Sequence, residues 1–160
     1  MEEGDIIRKA GAEAAGIFVG NFTHSLDPKR RLTIPAEWRD QVAAAGSLYV
    51  LPGIYEKCLY VFPAREMLRR LERVRSHSVA DPKARLFMRT LGSRSDLVTW
   101  DTQGRIRIKD ELLEHAQLTD LVVMAGAFEK FELWSPELWK AANAVVDQAT
   151  MDDATRYVGF

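Results

Sequence analysis

The sequence predicts an α+β chain made of two half-domains that share one plan, and three observations carry that prediction. A single pattern occurs twice, as LDPKRRLTIPAEWR at 26–39 and as WDTQGRIRIKDELL at 100–113. Aligned on Asp27 and Asp101, an offset of 74 residues, both copies run apolar residue, Asp, three polar or turn residues, Arg, apolar residue, any residue, Ile. Both then switch from alternating to helical spacing. Each copy is followed by an apolar run, a turn glycine and a second apolar run: 48–51, Gly53 and 58–62 in the first half, 121–125, Gly126 and 130–134 in the second. The bare string Asp-x-x-x-Arg is weak, because it occurs at Asp27/Arg31, Asp81/Arg85, Asp101/Arg105 and Asp152/Arg156, where composition alone supplies about one copy. Only the first and third lie between two extended segments, so the surroundings carry the signal.

Taken in order, 18–26 reads as a strand, 27–30 as a turn and 31–34 as a strand with sides alternating in and out. Pro35 ends that strand. Residues 36–45 (AEWRDQVAAA) read as a helix stopped by Gly46, after which 48–51 and 58–62 pair around PGIYEK. The half is β-β-α-β-β. Next, PAREMLRRLERVRSHS opens with proline at a first helical turn and sets Met67, Leu68, Leu71 and Val74 at helical spacing with arginines opposite. Asp81 before Pro82 has the form of an N-cap with proline at the first helical position, and starts a further helix. The second half repeats the series: strand 96–100, turn, strand 105–108, helix 110–117, strands 121–125 and 130–134. Ser135-Pro136 then caps a C-terminal helix.

A chain of 160 residues fits one compact domain or two small packed halves, and buries about two-thirds of its unfolded surface. The opening MEEGDIIRKAGAEAAG is too charged for a signal peptide, and no apolar run approaches the roughly 20 residues of a membrane span, so a cytoplasmic protein is expected. The single cysteine, Cys58, excludes an internal disulfide and a cysteine metal cluster. Net charge is only −1, yet residues 63–94 hold nine Lys/Arg against three acids, net +6, and residues 110–160 hold three against ten, net −7. That asymmetry suits either a basic face offered to a polyanion or a basic surface of one subunit docking on the acidic surface of the next.

With FVGNFTHSLDPKRRLTIPAEWR, LVTWDTQGRIRI, ELLEHAQLTD and LVVMAGAFEKFELWSPELW in view, the chain resembles the MraZ family, bacterial transcriptional regulators. The resemblance covers about 17–146. It implies two tandem AbrB-like swapped-hairpin β-α-β-β units forming one compact β-barrel-like domain with flanking helices. On it the chain divides into an N-terminal extension at 1–16, expected to be disordered or an artefact of start-codon choice, a first half at 17–62 and a basic helical connector at 63–94. A second half at 95–134 and a C-terminal helix and tail at 135–160 complete it. The resemblance further implies a ring-shaped homo-oligomer, an octamer or larger, that binds double-stranded DNA through the Asp-x-x-x-Arg elements in the cytoplasm, associated with the nucleoid. The implied target is a tandem promoter repeat of the cell-division and cell-wall gene cluster. Two positions depart from the family pattern. Arg30 stands where glycine is usual and where the second copy keeps Gly104, and Lys109 stands where proline is usual. Either the first turn has a different backbone shape or Arg30 is strained at positive φ and adds a cation to the tip.

A planar guanidinium can hold a phosphate or the O6/N7 edge of guanine with two hydrogen bonds, so Arg31 and Arg105 are the candidate base readers. Lys29, Arg30, Arg107 and Lys109 are candidate phosphate contacts. Asp27 and Asp101 would be repelled by phosphate and are expected to cap the turn or orient the arginine, with Gly104 supporting the turn. Against this stands the simpler reading that each Asp and Arg pair across a turn and hold the fold or a subunit contact, as in a structural or scaffolding ring. An enzyme is not expected. Cys58 has no recognisable nucleophile context, His24, His77 and His115 are scattered without ligand spacing, and the glycines are isolated turn glycines, so neither metal nor cofactor is expected. The four tryptophans are expected in the core or in subunit seams.

Overall fold

The computed structural model describes residues 16–42, 46–77 and 80–160, so the disorder expected at 1–16 falls, Gly16 apart, outside the described residues. Among the described residues, eight strands and six helices follow in chain order. The first half holds β1 (Asn21–Ser25), β2 (Arg31–Thr33), α1 (Ala36–Arg39), β3 (Ser47–Pro52) and β4 (Leu59–Pro63). Helices α2 (Ala64–Arg75) and α3 (Pro82–Arg94) connect it to the second half. That half holds β5 (Asp96–Thr99), β6 (Arg105–Arg107), α4 (Asp110–Ala116), β7 (Leu121–Gly126) and β8 (Phe131–Trp134), followed by α5 (Pro136–Ala144) and α6 (Gln148–Val158).

Six strands form one antiparallel sheet in the order β1-β7-β8-β4-β3-β5, and β2 pairs with β6 in a separate ribbon. Exchanging each strand for its counterpart (β1 with β5, β3 with β7, β4 with β8) reverses that order, which is the signature of an internal two-fold. The register obeys it residue by residue: Ser25 faces Leu121 as Thr99 faces Ser47, and His24 faces Val122 as Val98 faces Leu48. Each half therefore lends its first strand to the hairpin of the other. The α+β fold of two tandem halves is formed, and its sheet is not closed. The sheet stays open with β1 and β5 at its edges, because the next strands, β2 and β6, leave it to pair with each other.

The central strands lack polar-apolar alternation because both faces of the sheet are covered. All five residues of β4 are buried: Leu59 and Val61 enter the main core, while Tyr60 and Phe62 enter a second cluster on the opposite face. The main core encloses Trp38, whose ring lies 4.6 Å from Phe131, 5.2 Å from Phe22 and 6.0 Å from Phe18. Its indole Nε1 donates to the Val19 carbonyl at 2.8 Å, so the polar edge is satisfied too. On the second face, α2 and α3 reach the sheet through Met67 and Leu91, and α5 through Leu138, Trp139 and Ala142.

Side-chain caps begin α3, α5 and α6. Asp81 accepts from the Lys83 amide at 2.9 Å, and Ser135 accepts from the Leu138 amide at 3.1 Å. The α1 helix is shorter than its periodicity predicts, and Ala43 to Ala45 lie outside the described residues. Leu68, placed by its spacing on the apolar face of α2, is exposed. Where a tail was expected after α5, Asp147 caps α6 through the Thr150 amide and hydroxyl, and Gly159 at φ 72° ends that helix. No helix among the described residues is long and apolar enough to cross a membrane.

Phe131 is fully buried and packs edge-on to Phe18 at 5.1 Å as well as against Trp38. Phe131→Ala is expected to lower the unfolding free energy by about 3–5 kcal/mol, measured by chemical denaturation; a loss below 1 kcal/mol would contradict this packing.

Candidate nucleic-acid interface

Each arginine turn is built by its aspartate. Asp27 Oδ1 accepts from the amides of Lys29 (2.9 Å) and Arg31 (2.8 Å), and Oδ2 accepts from Arg31 Nε at 2.6 Å. Asp101 repeats this with Gln103 (2.9 Å), Arg105 (3.0 Å) and Arg105 Nε (2.9 Å). A short carboxylate reaches amides two and four residues ahead only in a tight turn, so one side chain fixes both the loop and the arginine that leaves it. Burial pushes the Asp27 carboxyl up, but the amide and guanidinium of Arg31 and the amide of Lys29 outweigh it and hold the group below the ordinary value. For Asp101 the amide and guanidinium of Arg105 dominate, with the same net direction.

The turns keep one backbone shape. Arg30 sits at φ 64° and Gly104 at φ 77°, both left-handed, so Arg30 is the strained case rather than a sign of a different turn. Its Nε donates to Asp110 Oδ1 at 3.1 Å, but both side chains are largely exposed, so that pair adds little stability. At Gly104 an added Cβ would lie 2.6 Å from Arg39 Cζ. Arg39 in turn donates from Nε to the Ile34 carbonyl at 3.1 Å, which holds its guanidinium against the second turn. Sequence reasoning missed Arg39, and the repeat offered no signal, since its counterpart is Leu113.

The ribbon brings the two turns together. Arg31 faces Arg107, Leu32 faces Ile106 and Thr33 faces Arg105. The Ile34 amide donates to the Gly104 carbonyl at 2.8 Å and the Ile108 amide to the Arg30 carbonyl at 3.0 Å, extending the pairing at both ends. Strand alternation sends Leu32 and Ile106 into the core, fully buried, and sets Arg31, Thr33, Arg105 and Arg107 on the opposite face. Arg105 Nη1 lies 3.8 Å from Asp27 Oδ2, so the second turn's arginine also reaches the first turn's carboxylate.

The remaining candidate cations gather at one end of this ribbon. The antiparallel register places Lys29, Arg30 and Arg31 beside Arg107 and Lys109, whereas the other end carries Arg105 with Thr33 and Gln103. Arg30, Arg107 and Lys109 line a cleft of about 520 Å³, together with the carboxylates of Asp96 and Asp110. Lys109 is turned toward the body of the protein: Nζ donates to the Ser95 carbonyl at 3.1 Å and pairs with Glu111 at 3.1 Å. Away from the ribbon, Arg69 and Arg70 of α2 are both ion-paired to Glu66 and Glu129, so part of the connector's positive charge is matched within the chain. Cys58 is fully buried, and burial, with Glu132 and Glu56 nearby, pushes its thiol far above the range in which a nucleophilic thiolate forms. Among the described residues no three His, Cys, Asp or Glu side chains gather in a metal-binding group.

The family model for MraZ proteins, described as antitoxin-like, matches the chain twice, over 17–90 and 93–160. The chain belongs to the MraZ family. The two matches fall on the two halves that the internal two-fold relates, so the MraZ unit is the half-domain. The chain is 38% identical over 125 residues to the transcriptional regulator MraZ of Thermomicrobium roseum, covering 78% of this chain and 86% of that one. It is 33% identical over 144 residues to the protein of that name from Heliobacterium modesticaldum (90% and 99%), and 31% identical over 127 residues to the one from Clostridium acetobutylicum (79% and 87%). MraZ membership makes this chain a transcription regulator and not an enzyme.

Both turn carboxylates are held below their ordinary values. The stability they contribute is present above the unfolded-state value of about 4 and is lost as pH falls through the lower folded-state values. The gap in melting temperature between the wild type and an Asp27→Asn/Asp101→Asn variant is therefore expected to be constant above pH 5 and to shrink below pH 4. Equivalent turn positions should also respond with opposite sign. Arg30→Gly is expected to raise the unfolding free energy by roughly 0.5–1 kcal/mol and Gly104→Ala to lower it by about 1 kcal/mol, both read by denaturant titration.

Proposed function

We propose that this MraZ chain regulates transcription by binding double-stranded promoter DNA with the outer face of the β2–β6 ribbon, in the cytoplasm and associated with the nucleoid. The observation that carries the reading is the pairing of two equivalent arginine turns on one ribbon, with Arg31, Arg105 and Arg107 on the face away from the core. A two-stranded ribbon fits the major groove. Arg31 and Arg105 act as base readers in this reading, Lys29, Arg30, Arg107 and Lys109 as phosphate contacts, and Asp27, Asp101 and Gly104 as supports that hold the arginines in place. One ribbon makes few phosphate contacts, and a few contacts give only weak binding at physiological salt. A ring-shaped homo-oligomer, an octamer or larger, sets several ribbons on tandem repeats at once, and the contacts combine through effective concentration. Bound over a promoter of the cell-division and cell-wall cluster, such a ring represses by excluding polymerase.

A second reading rests on a specific contact. Both arginines donate Nε to their own aspartates, and Arg105 reaches Asp27 as well, which suits motifs that only hold the fold of a scaffolding ring. The two readings part in a binding titration. Loss of Arg31 or Arg105 by substitution with Ala is expected to cost roughly 1–3 kcal/mol of specific binding each, measured on DNA from upstream of its own gene with scrambled DNA as control and with oligomer mass unchanged. Wild-type affinity should fall steeply with salt, about 0.9 in log–log slope per phosphate contact. Unaltered binding by the double variant would move the DNA contact elsewhere on the chain, and a wild type that ignores DNA at low salt would leave the scaffold reading.

A further inference from the structure

Helix α6 has an apolar stripe that nothing among the described residues covers. Every residue from 143 to 160 is exposed, including Met151, Tyr157, Val158 and Phe160. Met151, Ala154 and Val158 follow the i, i+3, i+7 spacing of one helix face, with Tyr157 beside them. The internal two-fold makes this conspicuous. In the first half the hairpin is followed by α2 and α3, and α3 returns to the sheet through Leu91; in the second half α5 packs on the sheet, but α6, at the place of α3 in the series, does not.

Between α2, α3 and the β3–β4 hairpin lies a groove of about 640 Å³ with predominantly apolar walls. Leu51, Phe62, Met67 and Leu91 form its floor. Phe87 and Met88 stand at its edge, and both are exposed. Arg73 puts positive charge on the rim, beside Arg70, whose guanidinium lies 4.8 Å from the Phe62 ring centroid and is ion-paired to Glu66 and Glu129. The stretch containing this groove, 63–94, has net charge +6, while the α6 segment 147–158 carries Asp147, Asp152 and Asp153 against Arg156, net −2.

We propose that α6 of one copy docks in the α2–α3 groove of a second copy, its apolar stripe on the groove floor and its aspartates against the arginine rim. The surfaces match in two independent respects, apolar character and charge sign. They are also different surfaces of the chain, so the contact is heterologous: it passes from copy to copy head to tail and closes into a ring when the rotation allows. The inference deepens the multimeric reading above by naming the contact, and it does not depend on DNA binding.

The test joins crosslinking to mass measurement on the full chain. Two differently tagged chains, one carrying Phe87→Cys and the other Tyr157→Cys, are co-expressed and treated with a short bis-maleimide. A covalent heterodimer is expected, with no product from either chain alone, since Cys58 is buried. Met151→Asp/Val158→Asp is expected to reduce the oligomer to a monomer by light scattering at tens of micromolar, with the far-ultraviolet circular dichroism and melting of the β-rich core kept. A double variant Phe87→Cys/Tyr157→Cys that crosslinks only within one chain would overturn the proposal in favour of self-docking. A Met151→Asp/Val158→Asp variant that keeps the wild-type mass would overturn the α6 contact while leaving the multimeric reading intact, and a monomeric wild type would overturn both.

Discussion

The pairing of β2 with β6 is the constraint on which the rest of the molecule depends. Each of these strands has three residues, too few to stand alone, and each finds its partner in the other half. Because they pair with each other, β1 and β5 are carried across to the opposite hairpins, and the six-stranded sheet forms only when both halves are present. Leu32 and Ile106, one from each strand, meet in the main core. Burial there stabilises the exchange and leaves the alternate positions, three of the four being arginine, on the other face. The outward display of charge thus follows from the same pleat that fills the core.

The aspartates resolve an apparent conflict between holding the fold and presenting arginine. An arginine free in solution samples many rotamers, and ordering it on binding costs side-chain entropy. Tying Nε to a carboxylate already fixed by two backbone amides restricts that freedom before any ligand arrives. The carboxylate itself is satisfied mainly by backbone donors two and four residues on. A structural ion pair and a presented guanidinium are therefore compatible at one residue, and the half-buried setting of Arg31 and Arg105 is what such a double role requires.

Much of this was legible in the sequence because the repeat carries its own control. Strand order within each half, the turn, the Asp81 and Ser135 caps and the family resemblance all follow from local pattern. What pattern could not supply was the partner of each strand: a period of two says that residues 31–34 alternate, not that they face 105–107. The open edges of the sheet were not legible for the same reason, since the departure of β2 and β6 from it is a tertiary choice. Leu68 was misplaced because helical spacing gives a face and not its depth of burial. The α6 helix was overlooked although Asp147 and Gly159 bracket it, because its centre, TMDDAT, reads weakly apolar and its stripe meets nothing among the described residues. Arg39 left no trace at all, because its importance lies in filling the space beside Gly104 across the half-domain boundary.

The two-fold is closely kept in backbone and abandoned in charge, and that contrast bears on how the ribbon can work. A ribbon with identical ends presents the same surface after a half turn, so it has no preferred direction on a duplex. Three substitutions that break the repeat, Arg30 against Gly104, Lys109 against Pro35 and Arg107 against Thr33, add positive charge, and the antiparallel register collects these three at one end with Lys29 and Arg31. The strain of Arg30 at φ 64° falls at that end too, in a turn whose twin avoids it with glycine. Asp27, Asp96, Asp110 and Glu111 moderate the field there without cancelling it, since five cations meet four carboxylates. On the DNA-binding reading the charged end fixes the direction in which each ribbon lies on DNA. In a head-to-tail assembly every copy would then present the same end in the same sense, which is the geometry a directly repeated site demands and an inverted repeat does not.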